Sequence, residues 1–277
     1  MTESRPVRLA LIQFEAELGN PAKNTERACQ MIAEAAEAGA DLVLLPELFS
    51  TGYQLNAIGP ILGDLVEPVD GPTVRALQEA ARAGGCYVAA GVALTRELTA
   101  VPYNSSVFID REGNLLGTYD KQHLWALERF YFRGGNGGGV FDTDFGRVGV
   151  MICYDMGFPE TARMLALKGC DLVLCLAAWC KEDMDGWYLN GPSRALENTV
   201  YVACVNRYGV EDDLVMPGHS YVSNPRGHII AELEGEAEGV LVADIDLADV
   251  AAGRMDGRYP PYLRDRRPEL YDDVLLP

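Results

Sequence analysis

Three short segments, each presenting a reactive side chain at or near the end of a strand signal, constrain this chain of 277 residues more than any other feature. They span residues 42–47, 117–121 and 149–155, and their reactive side chains are Glu47, Lys121 and Cys153. Each begins with residues that favour a β-strand, and its reactive group lies where the strand signal stops. A buried strand holds such a group on a rigid element. A base, a cation and a nucleophile together indicate acyl transfer through a thioester.

Strand and helix signals alternate along the rest of the chain. Strands are predicted at residues 7–14, 41–45, 87–94, 105–109, 115–121, 148–153, 172–176, 200–206, 220–223, 228–233 and 240–245, and helices at 21–38, 72–83, 159–168 and up to 198. Turn residues at 110–114 and 224–227 predict two hairpins. The pattern predicts a mixed α/β fold with no dividing linker, but by itself it does not distinguish one layered sandwich from another.

The sequence around the three reactive groups resembles the nitrilase superfamily, the carbon-nitrogen hydrolases. Leu-Pro-Glu at Glu47, followed by Leu-Phe-Ser-Thr-Gly-Tyr, is similar to the first family motif. Tyr-Asp-Lys-Gln-His-Leu around Lys121 is similar to the second, and Ile-Cys-Tyr-Asp-Met-Gly-Phe-Pro-Glu around Cys153 to the third, the nucleophile elbow. Arg-Ala-Leu-Glu-Asn at residues 194–198 resembles a later helix signature. The motifs follow the order of the family, and the match runs from Val7 to about Asp246.

The resemblance implies a four-layer αββα sandwich of two mixed sheets. It also implies a single carbon-nitrogen hydrolase domain over residues 1–250, followed by an extended C-terminal arm over residues 251–277. Members of the family generally pair through helices near the elbow, with the arm crossing the interface. Residues 159–168 and 259–276 match those segments, and Tyr262 and Tyr271 are candidate apolar anchors. We therefore expect a homodimer or a larger homo-oligomer.

The same resemblance assigns catalytic roles. Cys153 is expected to be the nucleophile and Glu47 its general base, while Lys121 and the backbone N–H of Tyr154 stabilise the oxyanion. Glu128, seven residues after Lys121, is expected to position the substrate amide or Lys121. Each residue alone has a simpler interpretation: a core thiol, a strand-end salt bridge, a surface lysine, and an ion pair with a nearby arginine. No cofactor is implied.

Aromatic residues are expected to narrow the substrate pocket. Tyr53, Phe158, Trp179 and Trp187 lie in segments that should face it, which favours short acyl groups, although Trp179 could equally belong to the core. Cys180 follows Trp179 in the same segment. The expected substrates are a small amide and water.

The leading functional hypothesis is an amidase that releases ammonia from a small carboxamide. A nitrilase is the nearest alternative, but nitrilases usually carry Trp-Glu after the nucleophile, where this chain has Tyr154 and Asp155. An N-carbamoyl amino acid hydrolase would need a basic partner for the substrate carboxylate, and Arg207 and Arg163 are the candidates. A catalytically silent binding or scaffold protein on the same fold is the alternative from another class.

Charge and cysteine content exclude several other functions. A net charge of −18 argues against binding to nucleic acid or to anionic membrane surfaces. The odd number of cysteines, mostly in apolar runs, predicts reduced thiols and a cytoplasmic protein. Scattered histidines and the spacing of the cysteines predict no metal site. The glycine-rich run at residues 134–139 lacks a following Lys-Ser/Thr, so a loop near the site is expected there rather than a phosphate cradle.

Overall fold

The computed structural model of the protein describes residues 3–96, 99–233, 237–255 and 261–271. Its strands are β1 Pro6–Gln13, β2 Leu42–Leu45, β3 Glu67–Pro68, β4 Tyr87–Arg96, β5 Thr99–Ile109, β6 Leu115–Asp120, β7 Val140–Asp142, β8 Arg147–Ile152, β9 Leu172–Ala177, β10 Tyr201–Asn206, β11 Tyr208–Glu211, β12 Leu214–Pro217, β13 Tyr221–Ser223, β14 Ile229–Glu232 and β15 Gly239–Asp246. Its α-helices are α1 Pro21–Glu37, α2 Leu55–Ile58, α3 Leu62–Leu65, α4 Pro72–Gly84, α5 Glu128–Tyr131, α6 Pro159–Leu167, α7 Met184–Asn198 and α8 Ala248–Met255.

Two mixed sheets form the centre of the molecule. The first has the strand order β15-β1-β2-β4-β5-β6, with β3 beside β4, and the second has the order β14-β13-β10-β9-β8-β7. Strands β1, β2 and β4 run parallel to one another, as do β8, β9 and β10. The other neighbouring pairs in these two sheets are antiparallel, except for β3 with β4.

Helices cover the outer face of each sheet. Leu9 and Leu11 of β1 face the second sheet, whereas Ala10 and Ile12 face α1 and α4, as the period of two along a strand requires. Helices α6 and α7 pack on the other side of the second sheet, where Leu165 and Trp187 join its core. The order is therefore helix, sheet, sheet, helix, and the expected four-layer αββα sandwich is confirmed.

Local sequence explains how the first long helix forms. The side chain of Asn20 accepts a hydrogen bond from the backbone N–H of Lys23 at the N-terminus of α1, and Pro21 occupies the first turn. Ala28, Met31, Ile32 and Ala35 recur at helical spacing and are buried. Burial of this apolar face fixes α1 against the first sheet. No helix in the described residues is long and apolar enough to cross a membrane.

Besides the short elements β3, β7, α2, α3 and α5, which were not predicted, two larger features differ from the sequence-based expectations. The hairpin of β11 and β12 was not predicted; its strands are only four residues long and too short for a clear alternation. Helix α8 crosses residue 250, so the predicted start of an extended arm at 251 is wrong for residues 251–255. Alanine favours helix there, Val250 and Ala252 are buried, and Asp249 and Arg254 suit the two ends of the helix dipole. Residues 256–260 and 272–277 of the arm lie outside the described residues.

Candidate active site

Strand ends bring the reactive groups together. Glu47 follows β2, Lys121 follows β6, and Cys153 follows β8, so that the first sheet supplies the base and the cation and the second supplies the thiol. Leu48 and Cys153 both have positive φ angles, 46° and 45° respectively. Non-glycine residues adopt this conformation at a cost, and such strain concentrates at functional sites. The two strained positions are therefore Cys153 itself and the residue that directly follows Glu47.

Close packing holds the backbone of Glu47 against the neighbouring strand. A Cβ atom on Gly91 of β4 would lie 2.6 Å from the Cα of Glu47, so only glycine permits this approach. The carbonyl of Gly91 also accepts a hydrogen bond from the N–H of Phe49, at 3.0 Å. The position of Glu47 is thus set by the sheet rather than by a free loop.

Lys121 is held between two carboxylates. Its Nζ lies 2.7 Å from Glu47 Oε1 and 2.7 Å from Glu128 Oε1, and all three side chains are fully buried. An ammonium has three N–H donors, and these two bonds use two of them. The third is available to an oxygen of a bound substrate.

Further donors fix the two carboxylates. Asn104 Nδ2 donates to Glu47 Oε1 at 2.7 Å, and the backbone N–H of Ala178 donates to Glu47 Oε2 at 2.9 Å. Tyr53 donates its hydroxyl to Glu128 Oε1, and the N–H of Trp125 donates to Glu128 Oε2 at 3.1 Å. Each carboxylate therefore has a single orientation. Asn104 and Ala178 were missed from the sequence because each lies far along the chain from Glu47 and no local motif marks it.

A buried aspartate organises the nucleophile elbow. Asp155 Oδ2 accepts from the N–H of Ile152 at 3.1 Å and from the hydroxyl of Tyr119 at 2.7 Å. Its Oδ1 accepts from the N–H of His123 at 2.9 Å and lies 2.8 Å from His123 Nδ1. Asp155 thus joins the turn that carries Cys153 to the segment that directly follows Lys121. Tyr154 is the second residue of a short 3₁₀-helix, where backbone N–H groups have no partner within the helix.

Burial and neighbouring charges shift the titration of the site. Burial raises the pKa of the Cys153 thiol well above its ordinary value, and Glu47 raises it further, although Lys121 opposes them. Burial alone would lower the pKa of Lys121, but Glu128 and Glu47 outweigh it and raise that pKa. Burial also raises the pKa of Glu128. The resting site therefore holds a protonated thiol beside a charged lysine, and the thiol needs a base at the moment of attack.

A cavity of about 300 Å³ opens onto Cys153. Of the expected pocket residues, Tyr53, Tyr154 and Trp179 line it, together with Cys180. Phe158 and Trp187 are not among the residues that line the cavity. Phe158 stacks on His123 with ring centroids 3.8 Å apart, and Trp187 is fully buried between Trp179 and Tyr221. Each of the two rings packs against a residue that lines the cavity, Phe158 against Tyr154 and Trp187 against Trp179.

The arginines near the site differ in how far their nitrogens are paired, and Nε and Nη1 of Arg207 are buried without a hydrogen-bond partner among the described residues. Arg207 is fully buried and paired with Glu211, whose other oxygen accepts from the N–H groups of Tyr53 and Gln54 at 2.7 and 2.8 Å. Arg194 donates to the carbonyls of Met156 and Gly157 and thereby secures the turn after the elbow. Neither Arg207 nor Arg163 is among the residues that line the cavity.

The glycine-rich segment packs against the strand that leads to Lys121. The N–H of Gly135 donates to the carbonyl of Lys121 at 2.8 Å, and a Cβ on Gly135 would lie 2.1 Å from the carbonyl oxygen of Asp120. Glycine is needed there for contact with protein backbone. Within the described part of the chain, no group of three or more His, Cys, Asp or Glu side chains is placed to hold a metal.

Comparison with known proteins agrees with this geometry. The family model described as carbon-nitrogen hydrolase matches residues 8–255. The chain is 37% identical to a nitrilase of Pyrococcus abyssi (96% of this chain, 99% of the relative) and 32% identical to the 2-oxoglutaramate amidase of Bacillus subtilis (95% and 98%). A glutamate-to-glutamine mutant of the amidase from Nesterenkonia sp. AN1, solved with the acetamide moiety of fluoroacetamide on its active-site cysteine, superimposes with a TM-score of 0.85 at 30% identity (98% and 97%). The chain therefore belongs to the carbon-nitrogen hydrolase family.

Proposed function

We propose that the protein is an amidase that hydrolyses a small carboxamide to a carboxylic acid and ammonia through a thioester on Cys153. The observation that carries this proposal is the buried Lys121, held 2.7 Å from both Glu47 and Glu128 beside a cavity onto which Cys153 opens. This arrangement supports the roles proposed for Glu47 as proton acceptor, Lys121 as oxyanion donor and Cys153 as nucleophile. Amidase names among the relatives support it.

In the acylation step, the Cys153 sulfur attacks the amide carbon while Glu47 accepts the thiol proton. The raised pKa of the thiol makes this transfer necessary, because little thiolate is present beforehand. The tetrahedral oxyanion receives hydrogen bonds from the third N–H of Lys121 and from the backbone N–H of Tyr154. Protonated Glu47 then gives its proton to the departing nitrogen, and ammonia leaves.

In the deacylation step, water enters the position that ammonia has left. Glu47, now ionised again, accepts a proton from this water, which attacks the thioester carbon. The same donors stabilise the second oxyanion; its collapse breaks the C–S bond and releases the carboxylic acid, while protonated Glu47 returns its proton to the sulfur of Cys153. Glu128 keeps Lys121 in place throughout, and Tyr53 and Trp125 keep Glu128 in place.

The competing functions differ in what they need from the site. Relatives bear both nitrilase and amidase names, so the names alone do not choose between them. The residues after Cys153 are Tyr154 and Asp155 rather than the usual Trp-Glu of nitrilases, which supports the amide. An N-carbamoyl amino acid needs a cation for its carboxylate, and neither candidate, Arg207 or Arg163, is among the residues that line the cavity. A silent scaffold would not need an intact set of Glu47, Lys121 and Cys153.

The test compares kcat/KM for propionamide and propionitrile by ammonia release, with intact-mass detection of the acyl-enzyme. A clear preference for propionamide, with a mass increase that is absent in Cys153→Ala, is expected. A preference for the nitrile with carboxylic acid as the product would overturn the amidase assignment. Failure of N-carbamoyl amino acids in the same assay would exclude that alternative.

We further propose that the protein forms a homodimer or a larger homo-oligomer through α6 and the C-terminal arm. Met164 and Leu167 of α6 are about half exposed, as are Leu270 and Tyr271 of the arm. Apolar side chains of this size at a surface are typical of interfaces. Light scattering at micromolar concentration should give at least twice the mass of 30.2 kDa, and a monomer would contradict the proposal.

A further inference from the structure

The active-site cavity has space for more than the reacting amide group. Its volume of about 300 Å³ is at the lower end of the range for small-molecule sites. Cys153 lines it, only 7% of its residue surface is exposed, and its thiol has no side-chain hydrogen-bond partner among the described residues. The position of this buried nucleophile in the lining marks where the carbonyl carbon of a ligand must lie. The remaining walls must then contact the tail of the substrate.

The charged residues that line the cavity are all acidic. Asp183 and Asp185 line the cavity, whereas no arginine, lysine or histidine is among its lining residues. The nearby cations Lys121 and Arg207 are not among the lining residues; Lys121 is held by two carboxylates, and Arg207 is fully buried and paired with Glu211. A carboxylate on the substrate tail would find no cationic partner and would face two negative charges.

The carboxylates of the two aspartates can accept further hydrogen bonds. Among the contacts of the described residues, the carboxylate of Asp183 accepts only from the Cys180 thiol, at 3.5 Å, and the carboxylate of Asp185 only from the N–H of Gly186, at 2.9 Å. Acidic residues at a helix start often serve the helix itself. Asp183, however, makes no capping hydrogen bond to α7, although it holds the N-cap position. Its carboxylate is therefore free to accept from a ligand.

Aromatic rings line the same cavity. Trp125, Tyr154 and Trp179 are among its walls, and the faces of such rings attract cations. Aromatic faces together with carboxylates form the usual surroundings of a bound ammonium group. The net charge of −18 favours the approach of a cation as well.

We propose that the natural substrate is an amide whose tail carries an ammonium group, which is bound by Asp183 and Asp185 at the cavity mouth and by the aromatic walls. This inference rests on the proposed amidase function and specifies its substrate class. It separates the protein from enzymes whose amide substrates carry a carboxylate at the far end.

The test uses three amides that differ at the far end of the chain. In γ-aminobutyramide an ammonium group replaces the terminal methyl group of valeramide, and glutaramate carries a carboxylate at that end. We expect kcat/KM, measured by ammonia release at low salt, to be highest for γ-aminobutyramide and lowest for glutaramate, with at least about a 10-fold span. Added sodium chloride should reduce the span, because salt screens exposed charges.

Variants connect the preference to the two aspartates. The double variant Asp183→Asn, Asp185→Asn should lower the ratio of kcat/KM for γ-aminobutyramide to that for valeramide by about 10-fold. Asparagine is as good an N-cap as aspartate, so α7 should be retained. The matched control Glu182→Gln, Glu160→Gln removes the same charge from exposed positions outside the cavity lining and should leave the ratio unchanged.

Each outcome separates this inference from the function on which it rests. Equal kcat/KM for the three amides, or a preference for glutaramate, would overturn the inference and leave the amidase intact. An unchanged ratio in the aspartate double variant would do the same. Release of ammonia from none of the three amides would overturn the amidase assignment and the inference with it.

Discussion

Replacing Glu128 by glutamine tests the buried network most directly. Glu128 Oε1 receives hydrogen bonds from Lys121 and Tyr53, and Oε2 receives one from the N–H of Trp125. Glutamine is isosteric but has only one acceptor oxygen, so one side of its amide must point an N–H₂ group at a donor. If the N–H₂ group faces Trp125, one hydrogen bond is lost, whereas two are lost if it faces Lys121 and Tyr53. The amide oxygen should therefore remain with Lys121.

The expected losses of stability and activity in Glu128→Gln follow from the donors that lose their partner. One buried donor without a partner costs about 1–3 kcal/mol, which lowers Tm by roughly 2–10 °C for a domain of this size. Lys121 also loses one charged partner, and a hydrogen bond to a neutral acceptor holds it less firmly. If oxyanion stabilisation weakens by about 1.4–2.7 kcal/mol, kcat/KM falls about 10–100-fold. The loss should appear in acylation, seen as slower formation of the acyl-enzyme.

The assay combines thermal unfolding with ammonia release and single-turnover mass spectrometry. Glu112→Gln is the matched control, because Glu112 is exposed in the hairpin between β5 and β6 and should change neither measurement. A Glu128→Gln variant with unchanged Tm and unchanged acylation rate would refute the reasoning, since the three donors would then not depend on the second carboxylate oxygen or its charge.

Three further predictions concern the thiols and the catalytic groups. Cys153→Ala should abolish turnover and retain the fold, as circular dichroism would report, whereas Cys86→Ala or Cys170→Ala should lower stability by only about 1 kcal/mol through small cavities and leave turnover intact. Glu47→Gln and Lys121→Ala should each lower kcat by several orders of magnitude, and Glu47→Gln should also slow alkylation of Cys153 by iodoacetamide; unchanged alkylation would assign the base elsewhere. Burial raises the pKa of Cys170 from 9.0 to about 12 and also raises that of Cys175. As the pH rises, the thiols of the unfolded chain lose their protons before those of the folded chain. The contribution of these thiols to the free energy of unfolding should therefore be constant below about pH 9 and decrease as the pH rises towards 12. A constant Tm from pH 8 to 11 would contradict this.

Local patterns in the sequence predict most of the strands and helices of the fold. Strand β2 is a continuous apolar run, and helix α1 has a clear face of Ala28, Met31, Ile32 and Ala35, so both could be placed within a few residues. The resemblance to a family supplied the layer order, which alternation alone left open. The β11–β12 hairpin was not predicted, because its short strands include Gly209 and Pro217, which weaken a strand signal, and form no continuous apolar run like β2.

The candidate site divides in a similar way. Glu47, Lys121 and Cys153 end strong strand signals and were found from the sequence, and their roles remain predictions. Asn104 and Glu211 could not be found, since each acts through a partner far along the chain. Phe158 and Trp187 were expected at the pocket because their segments approach it. Side-chain direction decides such cases, and no local pattern indicates that the ring of Phe158 turns towards His123 and that of Trp187 towards Tyr221.

The division of the site between the two sheets has a consequence for how the enzyme responds to stress. Glu47 and Lys121 belong to one sheet, and Cys153 and the Ala178 N–H belong to the other. Activity thus reports on the docking of two layers. A compact state that kept its strands and helices but loosened the packing between the sheets would retain its far-ultraviolet circular dichroism and lose catalysis. Inactivation under mild denaturant would then precede the loss of secondary structure, which makes turnover a sensitive probe of the interior of the sandwich.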